Sequence, residues 1–195
     1  MVPPRVVLYS AIYGPYDWVK PLPVDLGIPA ILYSDRVREA PGWEVRVVNH
    51  GIATVKGEPR ITAPMLAHKF WKTHPDVAVP EADVSIWIDG SMEIQVDQYP
   101  VRCLDALGTD DWSCMPHPSR WCVYAEGEYS ATLTWRYDAA SILAQLACYR
   151  QFHPGDWGLI ATGANVRRHT PEVIEVCHQW WDECLNWSHQ DQLSL

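Results

Sequence analysis

The sequence lacks the features that would place the protein in a membrane or in the secretory pathway. No apolar run approaches the roughly 18 residues that a membrane-spanning helix needs. The N-terminal residues lack the charged start, long apolar stretch and small-residue cleavage site of a signal peptide. We therefore expect a cytoplasmic protein, in the host cytoplasm if the gene is viral, with no membrane partner.

Paired cysteines are missing as well. The chain has six cysteines in 195 residues, and no two of them form a Cys-x-x-Cys pair. A zinc site built on such pairs therefore has little support. We expect buried free thiols of a reducing compartment and no disulfide framework.

Several widespread motifs of catalysis and nucleotide binding do not occur. The chain has no G-x-x-x-x-G-K-[ST] of a P-loop and no G-x-G-x-x-G of a dinucleotide-binding domain. It also has no G-x-S-x-G of the simplest α/β-hydrolases and no H-E-x-x-H of zinc proteases. The net charge of −9 argues against broad nonspecific binding of nucleic acid, which needs a basic surface.

Apolar, β-branched runs alternate along the chain with segments of helical periodicity. The pattern predicts strands over residues 5–10, 28–34, 43–48, 84–88, 112–115, 121–124 and 159–166. It predicts a loop over residues 51–59 and helices over residues 62–73, 100–107, 138–151 and 170–185. No repeat or linker interrupts residues 1–195. We therefore expect one three-layer α/β domain with a mostly parallel central sheet.

The strand over residues 84–88 ends in Asp89, Gly90 and Ser91. Ligands of open α/β sheets bind at the carboxyl ends of the strands, so Asp89 is a candidate binding residue. A hard divalent cation takes one or two carboxylates together with phosphate oxygens, and this triplet offers one carboxylate and one hydroxyl. Taken alone, the triplet is more typical of a turn than of a metal site.

Basic residues at two other places are candidate phosphate ligands. Lys69 and Lys72 lie in the helix before this strand, and lysine is a compact cation suited to phosphate. Arg168 and His169 end the last predicted strand, just before a helix N-terminus that attracts anions. The alternatives are a solvated helix face for the lysines and a surface charge cluster for Arg168 and His169.

Polar residues of a loop and of the C-terminal segment are further candidates. His117 and Arg120 lie in a proline-bounded loop, and Glu126 follows shortly after. A terminal segment is normally frayed, but apolar residues flank the polar ones in residues 187–195 and predict that the segment is docked. Asp191 within it is therefore a candidate acid/base or acceptor-binding group.

The chain resembles a glycosyltransferase-like domain that was first catalogued as a domain of unknown function. The domain was later named for plant proteins of seed-mucilage synthesis and turgor regulation. The matching pieces fall in order at residues 9–17, 42–46, 85–91, 117–118, 122–124, 168–170 and 187–194. The strings Ser-Ile-Trp-Ile-Asp-Gly-Ser and Trp-Ser-x-x-Asp-Gln-Leu-Ser are specific, and the other pieces are supportive.

The resemblance implies a GT-A-type, Rossmann-like fold and a divalent cation, Mn²⁺ or Mg²⁺. In such enzymes an Asp-x-Asp motif at the end of a central strand holds the cation, which bridges the donor diphosphate. Asp89 and Ser91 take that place here, so the second carboxylate is missing. Glu93 or a histidine is the expected additional metal ligand, with His169 as the expected histidine and His117 and His189 as its alternatives.

The resemblance also implies a nucleotide-sugar donor, with a UDP-sugar as the expected one. The residues expected to hold the donor are Ser10, Ala11, Ile12, Tyr13, Lys69, Asp89 and Arg168. Asp191 or Glu126 is expected to orient or deprotonate the acceptor hydroxyl. The acceptor is expected to be a carbohydrate or another hydroxyl compound, and the negative net charge does not favour a nucleic-acid acceptor.

Two other functions remain open at this point. Eleven tryptophans suit the stacking of sugars, so the chain could be a noncatalytic carbohydrate-binding module. A metal-dependent hydrolase that uses Asp89 and a pair of histidines is the second alternative.

Overall fold

The computed structural model describes residues 3–15, 17–22, 26–52 and 62–195, and within them it has six strands and six α-helices. The strands are β1 (Val6–Ile12), β2 (Ala30–Ser34), β3 (Glu44–Val47), β4 (Val84–Ile88), β5 (Trp112–Pro116) and β6 (Ile160–Arg168). The helices are α1 (Thr62–Thr73), α2 (Pro75–Ala78), α3 (Tyr99–Leu107), α4 (Val123–Ala131), α5 (Ala139–Tyr149) and α6 (Pro171–Asn186). A short 3₁₀ helix covers Asp191–Leu193.

All six strands form one sheet in the order β3-β2-β1-β4-β6-β5. The strands β1 to β4 are parallel, β6 runs antiparallel to β4, and β5 runs antiparallel to β6. Five strands therefore point the same way, and the predicted α/β fold with a mostly parallel, Rossmann-like sheet is confirmed. Because Tyr9 pairs with Trp87, the residues after β4 lie beside the end of β1.

Helices cover both faces of the sheet, which explains why β1, β2 and β4 are buried along their whole length. Successive residues of a strand point to opposite faces. Tyr9 and Trp87 pack on one face against Ala67 of α1, and α6 packs beside α1. Ile86 packs on the other face in a cluster with Leu107 of α3. The molecule therefore has the three layers that the sequence predicts.

Two helix starts follow directly from their capping residues. The Asp138 carboxylate accepts hydrogen bonds from the backbone N–H groups of Ala140 and Ser141, where α5 begins. The Thr170 hydroxyl accepts one from the N–H of Val173, where α6 begins. Each side chain satisfies backbone donors that have no partner within the helix, so both predicted starts are confirmed.

The predicted strand over residues 121–124 is wrong, because Val123 is the first residue of α4. Helix α4 packs on α5 so closely that a Cβ atom at Gly127 would lie 2.7 Å from the side chain of Leu146. This contact between helices is not visible in the local pattern of apolar residues. The short helix α2 was not predicted, and residues 53–59 of the predicted loop lie outside the described residues.

The six cysteines are free, as predicted, but only Cys103, Cys177 and Cys184 are buried, and the other three are partly exposed. In the described part of the chain, no helix combines the length and the apolar character needed to cross a membrane. The C-terminal segment is docked, as predicted, since residues 188–191 are buried.

Candidate active site

Asp89, the first residue after β4, is the point where several polar side chains meet. Its Oδ1 accepts hydrogen bonds from Trp87 Nε1 at 2.8 Å and from Lys72 Nζ at 3.2 Å. His68 Nε2 lies 3.5 Å from the same oxygen. Burial opposes the charge of Asp89, but Lys72 and Lys69 outweigh burial and lower the pKa of Asp89. Asp89 is therefore a carboxylate with one fully engaged oxygen.

Asp191 binds both lysines of α1. Its Oδ1 lies 2.8 Å from Lys69 Nζ, and its Oδ2 lies 2.7 Å from Lys72 Nζ. Oδ2 also accepts a hydrogen bond from the Thr162 hydroxyl at 3.2 Å, and the backbone oxygen accepts one from Trp180 Nε1 at 2.8 Å. Burial alone would raise the pKa of Asp191, but the two lysines hold it far below its ordinary value. The C-terminal segment is thus fixed to the site by charge.

Helix α1 presents Lys69 and Lys72 to the interior because residues three apart share a helix face. Lys72 is fully buried, and its Nζ lies 5.9 Å from the Trp87 ring centre and 5.5 Å from that of Trp180. Burial and the neighbouring Lys69 lower the pKa of His68 to about 3, so this imidazole is neutral near pH 7. With His68 neutral, the positive charges of Lys69 and Lys72 equal in number the negative charges of Asp89 and Asp191.

A cavity of about 260 Å³ opens beside Asp89 at the end of β1. Its lining includes Ala11, Ile12, Tyr13, Asp17, His68, Lys69, Asp89, Ser91 and Arg136. Five of the seven residues expected to hold the donor thus border this space: Lys69, Asp89 and three of the four that lie in or just after β1, namely Ala11, Ile12 and Tyr13. The fourth, Ser10, is buried and borders a separate gap of about 10 Å³ next to Ile12 and Asp89. We name the space of about 260 Å³ the β1 cavity.

A second cavity, of about 310 Å³, also borders Asp89. Lys69, Asp89 and Arg136 border both this space and the β1 cavity. The second space, which we name the α4 cavity, is otherwise lined mainly by polar side chains of β6, α4 and the C-terminal segment. The charged cluster therefore stands at the junction of two cavities.

Glu126 is the central side chain in the wall of the α4 cavity. Its Oε1 accepts hydrogen bonds from Gln190 Nε2 at 2.8 Å and from the Ser130 hydroxyl at 3.2 Å. Its Oε2 forms an ion pair with Arg120 and lies 3.7 Å from His117 Nε2. The structure thus brings Glu126 and Asp191, which are distant in sequence, to the same cavity. Both carboxylates are already paired with cations.

The structure does not bring Arg168 and His169 to this site. Arg168 pairs with Val84, the first residue of β4, and its guanidinium donates to the backbone oxygens of Gly108 and Asp110. Asp89 follows the other end of β4, about 13 Å or more away at 3.3 Å per residue. This geometry contradicts two expectations from the sequence. His169 does not share a metal site with Asp89, and Arg168 does not lie with Asp89 where the donor phosphates were expected.

The two alternative histidines are engaged elsewhere. His117 Nδ1 accepts hydrogen bonds from the backbone N–H groups of Ser119 and Arg120. His189 is buried and stacks on Tyr137 with ring centres 4.9 Å apart. Burial and the charge of Lys69 lower the pKa of His189 to about 3. Within the described residues, no hydrogen bond or ion pair joins either imidazole to Asp89.

The donor set around Asp89 does not fit a resident divalent cation held by the protein. In residues 3–15, 17–22, 26–52 and 62–195, no three His, Cys, Asp or Glu side chains are grouped so as to hold a metal ion. Ser91 borders the β1 cavity but is exposed, and a hydroxyl is a weaker ligand than the missing carboxylate. The lysine bound to Asp89 Oδ1 already supplies a positive charge at this carboxylate.

Three residues of the site escaped the sequence analysis. His68 precedes Lys72 by one helical turn, which is the signal that could have found it. Asp17 lies in the piece 9–17 that carries the resemblance, but nothing in that piece distinguishes it from a turn residue. Arg136 lies in the turn between α4 and α5, and no local pattern marks it.

The fold and the site define a Rossmann-like α/β protein with a charged cluster at the carboxyl edge of its sheet. The model of the TOD1/MUCI70, glycosyltransferase-like domain matches residues 62–195, and the chain belongs to this family. That range contains five of the seven pieces of the resemblance, including residues 85–91 and 187–194. A search among curated proteins gave no match.

Proposed function

We propose that the protein transfers a sugar from a nucleotide-sugar donor to a hydroxyl acceptor. The observation that carries the proposal is the position of Lys69 and Asp89 at the junction of two cavities, in a chain of a glycosyltransferase-like family. Such a reaction needs two adjacent binding spaces and a charged group where they meet. The same arrangement offers no advantage to a protein that only binds carbohydrate.

The β1 cavity is the proposed donor site. Ala11, Ile12 and Tyr13 lie at the carboxyl end of β1, where nucleotides bind in open α/β sheets. Backbone groups and the Tyr13 ring would contact the base and ribose of a UDP-sugar. Asp89 Oδ2 would face the ribose or the sugar, because Oδ1 is held by Trp87 and Lys72.

The α4 cavity is the proposed acceptor site. Glu126, Gln190 and Ser130 form a hydrogen-bonded wall, and hydroxyl groups of a carbohydrate would exchange with water at such a wall. The lysines hold the pKa of Asp191 far below its ordinary value, which makes Asp191 a weak base, and the Glu126 carboxylate is held by an ion pair with Arg120 and by the hydrogen bond from Gln190. Of the two roles expected from the sequence, orienting or deprotonating the acceptor hydroxyl, we therefore assign the orienting role to both.

The chemical step follows from this arrangement. The bond between the anomeric carbon of the sugar and the diphosphate oxygen breaks, and its electron pair leaves with the nucleoside diphosphate. The acceptor oxygen forms the new bond to the same carbon and releases its proton to the departing diphosphate or to water. The cationic side chains at the junction of the cavities stabilise the charge that develops on the leaving group.

The test measures nucleotide binding and product release. Heat-shift and calorimetric titrations with UDP, GDP and ADP identify the base, and a panel of the matching nucleotide-sugars is then assayed for nucleoside diphosphate release with simple sugars as acceptors. We expect one nucleotide to bind, and we expect Asp89→Asn to weaken its binding about tenfold or more. Asp97→Asn, at an exposed position, is the matched control. A folded protein that binds none of the nucleotides would disprove the proposal.

A further inference from the structure

We propose that Lys69 and Arg136 bind the diphosphate of the donor directly, so that sugar transfer needs no divalent cation. The inference rests on the proposed function and adds to it the way in which the leaving group is stabilised. It starts from the mismatch between Asp89 and a resident metal site, and from the two cationic side chains that border both cavities.

Lys69 has hydrogen-bond donors to spare. Its ammonium group carries three donors, and within the described residues Asp191 is its one hydrogen-bond acceptor. Lys72, in contrast, contacts both carboxylates and two indole rings and has no exposed surface. Lys69 is therefore the lysine that can reach a phosphate oxygen, while Lys72 holds the carboxylates in place.

Arg136 also borders both cavities. The turn between α4 and α5 carries it, and a backbone hydrogen bond from its N–H to the oxygen of Leu133 fixes this turn at 2.8 Å. Its guanidinium carbon lies 5.2 Å from the centre of the Tyr137 ring. A guanidinium group presents a planar fork of donors that matches two oxygens of a phosphate. Arg136 is thus suited to a diphosphate at the junction.

The lysines that hold Asp89 also oppose an additional cation at this place. Lys69 and Lys72 balance Asp89 and Asp191, and in the lining of the β1 cavity the charge of Arg136 is opposed by that of Asp17. A divalent cation on Asp89 Oδ2 would lie within a few ångströms of the Lys72 ammonium group, which contacts Oδ1 at 3.2 Å. Like charges at that distance repel each other strongly in a poorly solvated site.

During transfer, the electron pair of the broken bond moves onto a diphosphate oxygen. Arg136 and Lys69 line the cavity in which that oxygen would lie, and the hydrogen bond to Asp191 holds the Lys69 ammonium group in place before the reaction starts. Positive groups that need no rearrangement lower the energy of the developing charge in the transition state. They would therefore supply the stabilisation that a bridging cation supplies in enzymes with two carboxylates.

The first experiment removes metal from the wild-type protein. The protein is treated with EDTA, its residual metal content is measured, and nucleoside diphosphate binding and release from the nucleotide-sugar are assayed with EDTA, Mn²⁺ or Mg²⁺. We expect rates that agree within about twofold under all three conditions. Activity that disappears in EDTA and returns with Mn²⁺ or Mg²⁺ would overturn the inference and leave the proposed transferase function intact. Absence of nucleoside diphosphate binding and of its release from the nucleotide-sugar under every condition would overturn both the inference and the proposed transferase function.

The second experiment substitutes Arg136. We expect Arg136→Gln to lower kcat by about a hundredfold and to weaken nucleoside diphosphate binding, since one preorganised cation is lost. Arg136→Lys should recover part of the loss, because it keeps the charge without the fork. Arg102→Gln, at an exposed position of α3, removes the same charge away from the site and should change neither quantity. Wild-type rates in a folded Arg136→Gln variant would contradict the role of Arg136.

Discussion

Lys72 Nζ and Asp191 Oδ2 lie 2.7 Å apart, and their side chains are 0% and 3% exposed. The pair joins α1 to the 3₁₀ helix of the C-terminal segment, and Lys72 continues the contact to Asp89 after β4. Burial of two charges costs several kcal/mol per ion, which only close pairing and further hydrogen bonds offset. Residues 188–191 must therefore be docked before the site has its final charge distribution.

Loss of the Asp191 charge should destabilise the fold. We expect Asp191→Asn to lower the free energy of unfolding by about 3 kcal/mol, because Lys69 and Lys72 then lose a buried anion. Urea denaturation monitored by tryptophan fluorescence measures the change. Asp182→Asn on the exposed face of α6 is the control, with an expected effect below about 0.5 kcal/mol. Equal stability of the two variants would show that the pair contributes nothing.

Two buried histidines, His68 and His189, should make the free energy of unfolding depend on pH. Burial lowers the pKa of His68 and of His189 to about 3, whereas an unfolded histidine titrates near 6.5. Below pH 6.5 these imidazoles take up protons in the unfolded state but stay neutral in the folded state. Their contribution to the free energy of unfolding is therefore fully present above this pH and is lost progressively as the pH falls. Each histidine should contribute about 1.4 kcal/mol per pH unit between about pH 6.5 and 3.

The measurement is the free energy of unfolding as a function of pH for His68→Asn, compared with the wild type. Below pH 6.5, the free energy of unfolding of the variant should fall less steeply with decreasing pH than that of the wild type, by about 1.4 kcal/mol per pH unit. An unchanged slope in His68→Asn would mean that this imidazole has the same pKa in the folded and the unfolded state, which would contradict the prediction.

The sequence was sufficient to predict the six strands of the sheet, with one wrong addition at residues 121–124, and the carboxylate that follows β4. Strands that are buried on both faces have an unmistakable run of β-branched and apolar residues, and β4 with Asp89 is the clearest case. The docking of residues 187–195 was also predictable, because apolar residues flank its polar ones. Both signals are local, so one stretch of sequence contains them.

The direction of a strand, in contrast, depends on the whole sheet. The position of Arg168 at a strand end suggested a place beside Asp89, but β6 runs antiparallel and its carboxyl end lies at the opposite edge. Arg136 and Asp17 reach the site through turns whose packing is set by distant elements. Such contacts leave no periodic pattern in the sequence. For this reason the sequence does not reveal Arg136 and Asp17 as residues of the site, and it wrongly places Arg168 there.

The close packing of Gly90 against Ile12 predicts an effect on the donor site. A Cβ atom at Gly90 would lie 2.6 Å from Ile12 Cγ1, and Ile12 borders the β1 cavity. We expect Gly90→Ala to displace this side chain and to weaken nucleoside diphosphate binding about tenfold. Calorimetry measures the binding. Gly155→Ala is the control, since its added Cβ would meet no atom closer than 3.8 Å.

Glu126 allows the roles of the two cavities to be separated. Its carboxylate holds Gln190 and Arg120 in the wall of the α4 cavity and does not border the β1 cavity. We therefore expect Glu126→Gln to raise the KM of the acceptor about tenfold or more, with donor binding and slow donor hydrolysis unchanged. Steady-state kinetics with each substrate varied in turn measure both quantities.

Glu128→Gln is the matched control on the same helix, because Glu128 is exposed and pairs with Arg150 at the surface. It should leave both KM values unchanged, since surface ion pairs contribute little. If Glu126→Gln weakened donor binding as strongly as acceptor binding, the two cavities would not serve separate substrates. If it abolished donor hydrolysis while the protein remained folded, Glu126 would take part in the chemical step and would not merely shape the acceptor site.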